Sequence, residues 1–385
     1  MKTEDTKFEQ VSSIVGGEVF EKDAFCSHDI LVEEERISSS GISAKGIELD
    51  ASGCYVIPGL VDIHFHGSAG ADISDGDEEG LHRMGAYEAS RGICAMCPAT
   101  MTLSHEQLMQ AARSARSYDP ALGEAALVGI NMEGPYISPS KVGAQNPEHV
   151  RNPSVAEFKA LQDEAGGLFK LVDIAPEEDG ADVFIESLKD DVRISLAHSC
   201  ADFDTAKAAF NKGAKHLTHL YNAMNPMHHR SPGPIPAAVE SEEVTAEIIA
   251  DGIHIHPSMV RLAFRLFGDD RMILISDTLR AAGLEDGVYD LGGQDVTVNG
   301  YVATIENGAL AGSVSDLMRC FYVAVHDMDI PLVSAVKAAS ANPARAIGID
   351  DDYGALEEGY LANAVLLDKG TLEVRHVVLR GRLLF

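Results

Sequence analysis

The chain has no tryptophan and is short of cations: 30 lysines and arginines stand against 60 aspartates and glutamates, a formal charge of −30. That shortage argues against nucleic acid and anionic membrane surfaces as partners, because both repel such a field. An anionic small molecule would need a local basic or metal site. No apolar run is long enough to span a bilayer. The opening MKTEDTKFEQ carries acids where a secretory leader has basic and then apolar residues, so the expected location is the cytoplasm. Cysteine is also sparse. The 6 cysteines are scattered, which argues against a disulfide framework in a chain of this size. Cys94 and Cys97 form the one C-x-x-C, in ICAMCPAT, and no second pair sits at zinc-site spacing. That run reads as a buried strand in which cysteine acts as a small hydrophobe.

What the chain does have is a large core and a rhythm. Its 385 residues are 45% hydrophobic and 23% charged, enough for one big barrel or two ordinary domains. Both ends read as short alternating strands: SSIVGGEVF, DILVEEERISSSG and GIELDASG near the start, and GALEEGYLANAVLLDKGTLEVRHVVLRGRLLF at the finish. Between them, apolar strand runs such as VIPGLVDIHFH, ICAMCPATMT, LFKLVDIAPE, RISLAHS and RMILISDTL alternate with helical stretches such as SHEQLMQAARSARS, SVAEFKALQDEAGG, DFDTAKAAFNKG and HPSMVRLAFRLFG. About eight strand–helix units over roughly 250 residues indicate an α/β fold of the (β/α)8 TIM-barrel type. The expected layout is a barrel over 56–350 and a small β-sandwich domain built from both chain ends, 1–55 and 351–385. A doubly wound open sheet is weakened by the lack of a glycine-rich fingerprint after the first strand. The segment GVYDLGGQDVTVNGYVATIENGALAGS breaks the rhythm and carries hairpin signals.

Chemistry on a parallel barrel sits at the strand C-termini. There the sequence places His64 and His66, then Asn131-Met132-Glu133, His198, His219, Asp251 with His254, and Asp277. Residues two apart on a strand share a face, so His64 and His66 can share one ion. Imidazole nitrogen and carboxylate oxygen together suit Zn2+, Fe2+, Mn2+ or Co2+. Each residue alone has an ordinary reading: a strand-end histidine is often structural, and an aspartate before a loop often begins a turn. Their joint placement is what argues for a metal site.

The stretches PGLVDIHFHG, EGPYISPSKVGAQNPEHV, LAHS, THLYNAMNPMHHRSPG, ADGIHIHP, ISDTLRAAG and GALAGS resemble the amidohydrolase superfamily and, within it, the N-acetylglucosamine-6-phosphate deacetylase family. The resemblance implies that Glu133, His198 and His219 are the principal metal ligands and that His64 and His66 hold a second ion, giving one or two divalent metals per subunit. It implies that Asp277 is the catalytic acid/base. It also implies substrate contacts at Ala144, Asn222, Ala223, Arg230, Asp251, Gly252, Ile253, His254, Leu310, Ala311 and Gly312. Gln145 stands where some members have histidine. The implied substrate is a phosphorylated N-acetyl amino sugar. Arg230, in the basic cluster with His228 and His229, is implied to bind phosphate in the neighbouring subunit of a homodimer. Three other readings compete: the galactosamine epimer as substrate, a dihydroorotase or hydantoinase type of amidohydrolase, and a non-catalytic scaffold barrel. The dihydroorotase type needs a bridging carbamylated lysine at the end of the fourth strand, whereas Lys170 lies near that strand's start. A scaffold would be expected to have lost a ligand or Asp277, and none is missing.

Overall fold

A computed structural model describes residues 8–39 and 46–385; parts of the expected N-terminal strands at 40–45 lie outside them. Both chain ends meet in one ten-stranded sheet, in which Cys54–Pro58, Ala364–Asp368, Val374–Leu379, Arg382–Leu383 and Glu9–Val15 are successive neighbours. Glu9 pairs with Leu383 and Val56 with Leu366. Alternation in these strands sends Val11, Ile14, Val32, Val56, Leu366 and Val378 into a core of their own.

Parallel strands make up the middle of the chain. Ala99–Thr100, Ile130–Met132, Phe169–Ile174, Arg193–Leu196, His216–Leu217, Thr245–Ile249 and Met272–Ile275 form a seven-stranded curled sheet, and Leu60–Asp62, Ile93–Met96 and Ala126–Leu127 form a three-stranded one. The two are bonded at both margins. On one side Ala99 N–H donates to Phe65 O (2.7 Å); on the other, Asp277 N–H donates to His64 O (2.9 Å) and His66 N–H to Thr278 O (2.7 Å). Strands such as MILI and RISL are buried on nearly every residue, as a parallel sheet covered on both faces requires. Each fully buried leucine, isoleucine or phenylalanine contributes roughly 1.5–3 kcal/mol.

The helices start where capping chemistry predicts. Ser104 and Gln107 make a reciprocal capping box for His105–Ser117. Ser154 caps Val155–Glu164, Asp202 caps Phe203–Lys212, and His256 with Pro257 opens Pro257–Phe267.

Three features differ from the reading of the sequence. The run from Val56 to His66 is not one strand: Cys54–Pro58 belongs to the chain-end sheet, and Leu60–Asp62 pairs with Ile93–Met96. Gly59 makes the crossing, and a β-carbon there would lie 2.7 Å from Cys94 Sγ. The segment expected to form a hairpin is a three-stranded antiparallel sheet, Gly287–Leu291, Gln294–Asn299 and Val302–Ile305. Its first turn is Gly292-Gly293, both residues left-handed, as a type I′ turn demands. Cys94 and Cys97 are buried free thiols, and burial pushes Cys94 up to about 12, in keeping with packing rather than redox work.

Candidate metal and substrate site

The polar residues sit just beyond the strands rather than on them. His198, His219, Ala223 and Asp277 all have positive φ (43°, 26°, 50° and 51°), a conformation costing of order 1–3 kcal/mol for a non-glycine residue and concentrated at functional sites. At Asp277 it is pinned by Asp277 N–H on His64 O and by Ser313 N–H on Asp277 O (2.7 Å). Gly134 follows Glu133 at φ 81°, and any side chain there would collide with Thr102.

Glu133 is the centre of the site. Its Oε1 lies 2.9 Å from His198 Nε2 and 3.1 Å from His219 Nε2; its Oε2 lies 3.2 Å from His66 Nε2 and 3.6 Å from His64 Nε2. Asp277 Oδ1 is 3.4 Å from His66 Nε2. Two overlapping ligand groups result, His64/His66/Glu133 and Glu133/His198/His219. His64, His66 and His198 turn Nε2 inward because Nδ1 faces an oxygen: Glu247 Oε2 at 2.9 Å, Ala99 O at 3.0 Å and Lys141 O at 2.7 Å. Carboxylate or carbonyl support behind the imidazole is the usual outer shell of a metal-binding histidine.

The residues fit a cation. His64 Nε2 is buried without a hydrogen-bond partner. His198 Nε2 and His219 Nε2 lie 3.2 Å apart, and two imidazole lone pairs held that close need positive charge between or beside them. The electrostatics agree. Burial raises the Glu133 carboxyl, but His64 foremost, with His198 and His219, outweighs it and holds Glu133 well below the carboxylate range. Burial likewise depresses His66, and hydrogen bonds to Asp277 and Glu133 overcome it, lifting His66 to about 10. Asp277 is raised by burial and, on balance, lowered by His66 and His64, so it is held ionised.

A cavity of about 430 Å³ opens onto this cluster, within the range of small-molecule sites. It gathers Ala144, Asn222, Ala223, His254, Leu310 and Gly312 around His66, Glu133, His198, His219 and Asp277. Five other substrate-contact expectations fall elsewhere. Asp251 is buried behind His254, its Oδ2 2.8 Å from His254 Nδ1 and its Oδ1 accepting from the Ile253 and His254 N–H groups. Gly252, Ile253 and the buried Ala311 are not among the lining residues. Arg230 also lies off the cavity, in an exposed loop beside His229.

The structure gives a role to Gln145, which the resemblance marked only as a departure from histidine, and to several residues that went unmarked in the sequence. Gln145 accepts from Thr102 N–H (2.6 Å) and donates to Glu133 Oε2 (2.7 Å), so it steers the central carboxylate. Lys141 and Met101 line the cavity, as does Leu291 of the inserted sheet, which Gln294 ties to Ala144 O (2.6 Å). Glu247 is fully buried and takes three donors: His64 Nδ1, His216 Nε2 (3.0 Å) and His219 N–H (3.1 Å). Behind it, Arg193 donates to Thr245 Oγ1 (2.9 Å), and Thr245 Oγ1 meets His216 Nδ1 (2.5 Å). The continuous chain Arg193–Thr245–His216–Glu247–His64 sets each tautomer in turn.

A curled parallel sheet with a histidine–carboxylate cluster beyond its strand ends defines a metal-dependent hydrolase scaffold, and the amidohydrolase family model matches residues 55–384. The chain belongs to the amidohydrolase family. Within it, the N-acetylglucosamine-6-phosphate deacetylase of Bacillus subtilis (strain 168) is 40% identical over 335 residues, covering 86% of this chain and 84% of its own. The N-acetylgalactosamine-6-phosphate deacetylase of Escherichia coli O157:H7 is 35% identical over 331 residues, 85% of this chain and 86% of its own. A variant of the Mycobacterium smegmatis N-acetyl-D-glucosamine-6-phosphate deacetylase, solved with N-acetyl-D-glucosamine-6-phosphate, superposes with a TM-score of 0.89 at 31% identity, over 98% of this chain and 99% of its own. Among the described residues no helix is long and apolar enough to cross a membrane.

Proposed function

We infer that the protein hydrolyses the acetamide of N-acetylglucosamine-6-phosphate to glucosamine-6-phosphate and acetate. The observation that carries this is Glu133 meeting four inward-facing imidazoles beside an ionised Asp277, at the floor of a cavity of sugar-phosphate size. Glu133, His198 and His219 would hold one divalent cation, and His64, His66 and Glu133 a second; Zn2+ or Fe2+ suits this donor set best, with Mn2+ or Co2+ also compatible. When bound, the cation supplies Lewis acidity toward the acetyl carbonyl and lowers the pKa of water toward neutrality. Asp277 Oδ1 accepts the proton of the attacking water and returns it to the departing amine, which leaves protonated. His254, steadied by Asp251, faces the cavity and can donate to the substrate. Asn222 and Ala223 offer polar contacts to the sugar phosphate.

Arg230, away from its own cavity, is assigned to the phosphate in the neighbouring subunit of a homodimer. The two bonded parallel sheets are read as one closed (β/α)8 barrel and the chain-end sheet as a small sandwich domain, with the passage between them at Gly59. The expected location is the cytoplasm. Lys170 points to the opposite end of the barrel from Glu133, which tells against a carbamylated-lysine mechanism. The test is acetate release from N-acetylglucosamine-6-phosphate, with the galactosamine epimer alongside and chelated protein as control. A clear preference for the glucosamine substrate supports the reading. Release from the epimer alone keeps the chemistry and changes the substrate. Release from neither by metal-loaded protein overturns it.

A further inference from the structure

The mouth at the strand starts, on the opposite side of the barrel from the catalytic cavity, runs against the charge of the chain. A pocket of about 370 Å³ there is lined by Lys170, Lys189, Arg193 and Lys215 against Asp190 and Asp191: four cations and two carboxylates, in a protein with two acids for every base. Lys215 pairs with Glu243 at 3.0 Å. No carboxylate among the described residues comes within 4.0 Å of the charged groups of Lys170, Lys189 or Arg193, and Asp190 and Asp191 join no ion pair. Arg193 is committed through one arm only, Nη2 donating to Lys215 O (3.0 Å) and Thr245 Oγ1, while its Nε is buried without a partner. Burial foremost, and then the nearby Arg345, push its guanidinium down to about 10, with Glu243 only partly offsetting them.

We propose that this pocket binds a small dianion of the phosphoryl class, held by Lys170, Lys189 and Arg193. Unpaired cations gathered in a recess gain most from a ligand with several acceptor oxygens, and the guanidinium fork matches phosphate geometry. The field of the whole chain keeps long polyanions away, while a recess of this size admits a small one. The inference does not rest on the acetamide reaction.

The test compares metal-loaded wild-type protein with the Lys170→Gln/Lys189→Gln double variant. Neither lysine has an ionic partner to lose, and neither is near Glu133 or Asp277. Binding of inorganic phosphate, and separately of glycerol phosphate, is followed by calorimetry and thermal unfolding, at constant ionic strength set with chloride. Wild type should bind at least one of the two, with Tm raised by roughly 2 °C at ten times Kd. The variant should bind about tenfold or more weakly at unchanged kcat. Equal affinity in variant and wild type would place the anion elsewhere and overturn the proposal; so would no binding to wild type above the chloride control.

Discussion

Replacing Glu247 by glutamine would remove one charge and almost no volume, yet it should unseat a metal ligand that Glu247 does not itself become. The carboxylate accepts from His64 Nδ1 at 2.9 Å and from His216 Nε2 at 3.0 Å, with His219 N–H at 3.1 Å. A glutamine side chain has one acceptor oxygen and one amide NH2. The ionised Glu247 carboxylate can only accept, so His216 donates to it from Nε2, and the neutral ring's Nδ1 takes the Thr245 hydroxyl proton. The glutamine oxygen therefore faces His216, and its NH2 faces His64 Nδ1. His64 must then give up the Nδ1 proton and carry it on Nε2, where a lone pair for the metal is needed. Loss of such outer-shell support typically weakens metal binding about 10- to 100-fold, or about 1.4–2.7 kcal/mol. The loss should fall chiefly on the ion held by His64 and His66, with a smaller loss at the one held by Glu133, His198 and His219, because the His219 N–H shares Glu247 Oε2 with His64. Competition with a chromogenic chelator resolves the two affinities, and circular dichroism checks the fold. Wild-type affinity at both sites in a folded Glu247→Gln protein would refute the reasoning.

Three further outcomes are expected. Asp277→Asn should keep its metal and lose roughly 10²- to 10⁴-fold in kcat; near-normal turnover would remove Asp277 from proton transfer. Arg230→Ala should raise KM for the phosphorylated sugar by about 10- to 100-fold with little change toward the unphosphorylated one; equal effects on both would remove it from the phosphate. In chelated protein, His64 and His66 have folded pKa values raised above the unfolded 6.5, with His66 near 10, so their contribution is complete below about 6.5 and is lost as pH rises toward about 10. Glu133 and Asp277 are depressed, so theirs is present above about 4.3 and lost at lower pH. Tm of the chelated protein should fall on both flanks and that of the metal-loaded protein only on the acid flank; a Tm of chelated protein flat from pH 6.5 to 10 would contradict the histidine assignment.

The parts of the site that were legible in the sequence were those where a polar residue interrupts an apolar run just before a loop. His64, His66, Glu133, His198, His219 and Asp277 all stand there, and fold periodicity supplies the common end at which they meet. Glu247 was not legible. It lies inside TAEII between two apolar neighbours, where a period-2 pattern reads it as outward-facing, and only a curled sheet reveals that the alternating face points into the interior. Gln145 and Lys141 sit in a loop without period, so their aim depends on Thr102 and Met224, contacts far off in sequence. The crossing at Gly59 was hidden because the two short strands it joins are equally apolar.

The pairing of Glu9 with Leu383 sets an order on biosynthesis. Glu9–Val15 can pair early with Ile30–Glu33 and Ile47–Asp50, but its pairing with Arg382–Leu383 waits about 20–80 s at usual elongation rates, while the parallel sheets between them can close much sooner. Until then the N-terminal strands carry an open edge suited to chaperone capture or to mispairing. The same adjacency sets Glu9 beside Leu383, so a linker bridging these two strands, with the chain reopened at an exposed loop, should give a circularly permuted protein in which that waiting period is moved or removed.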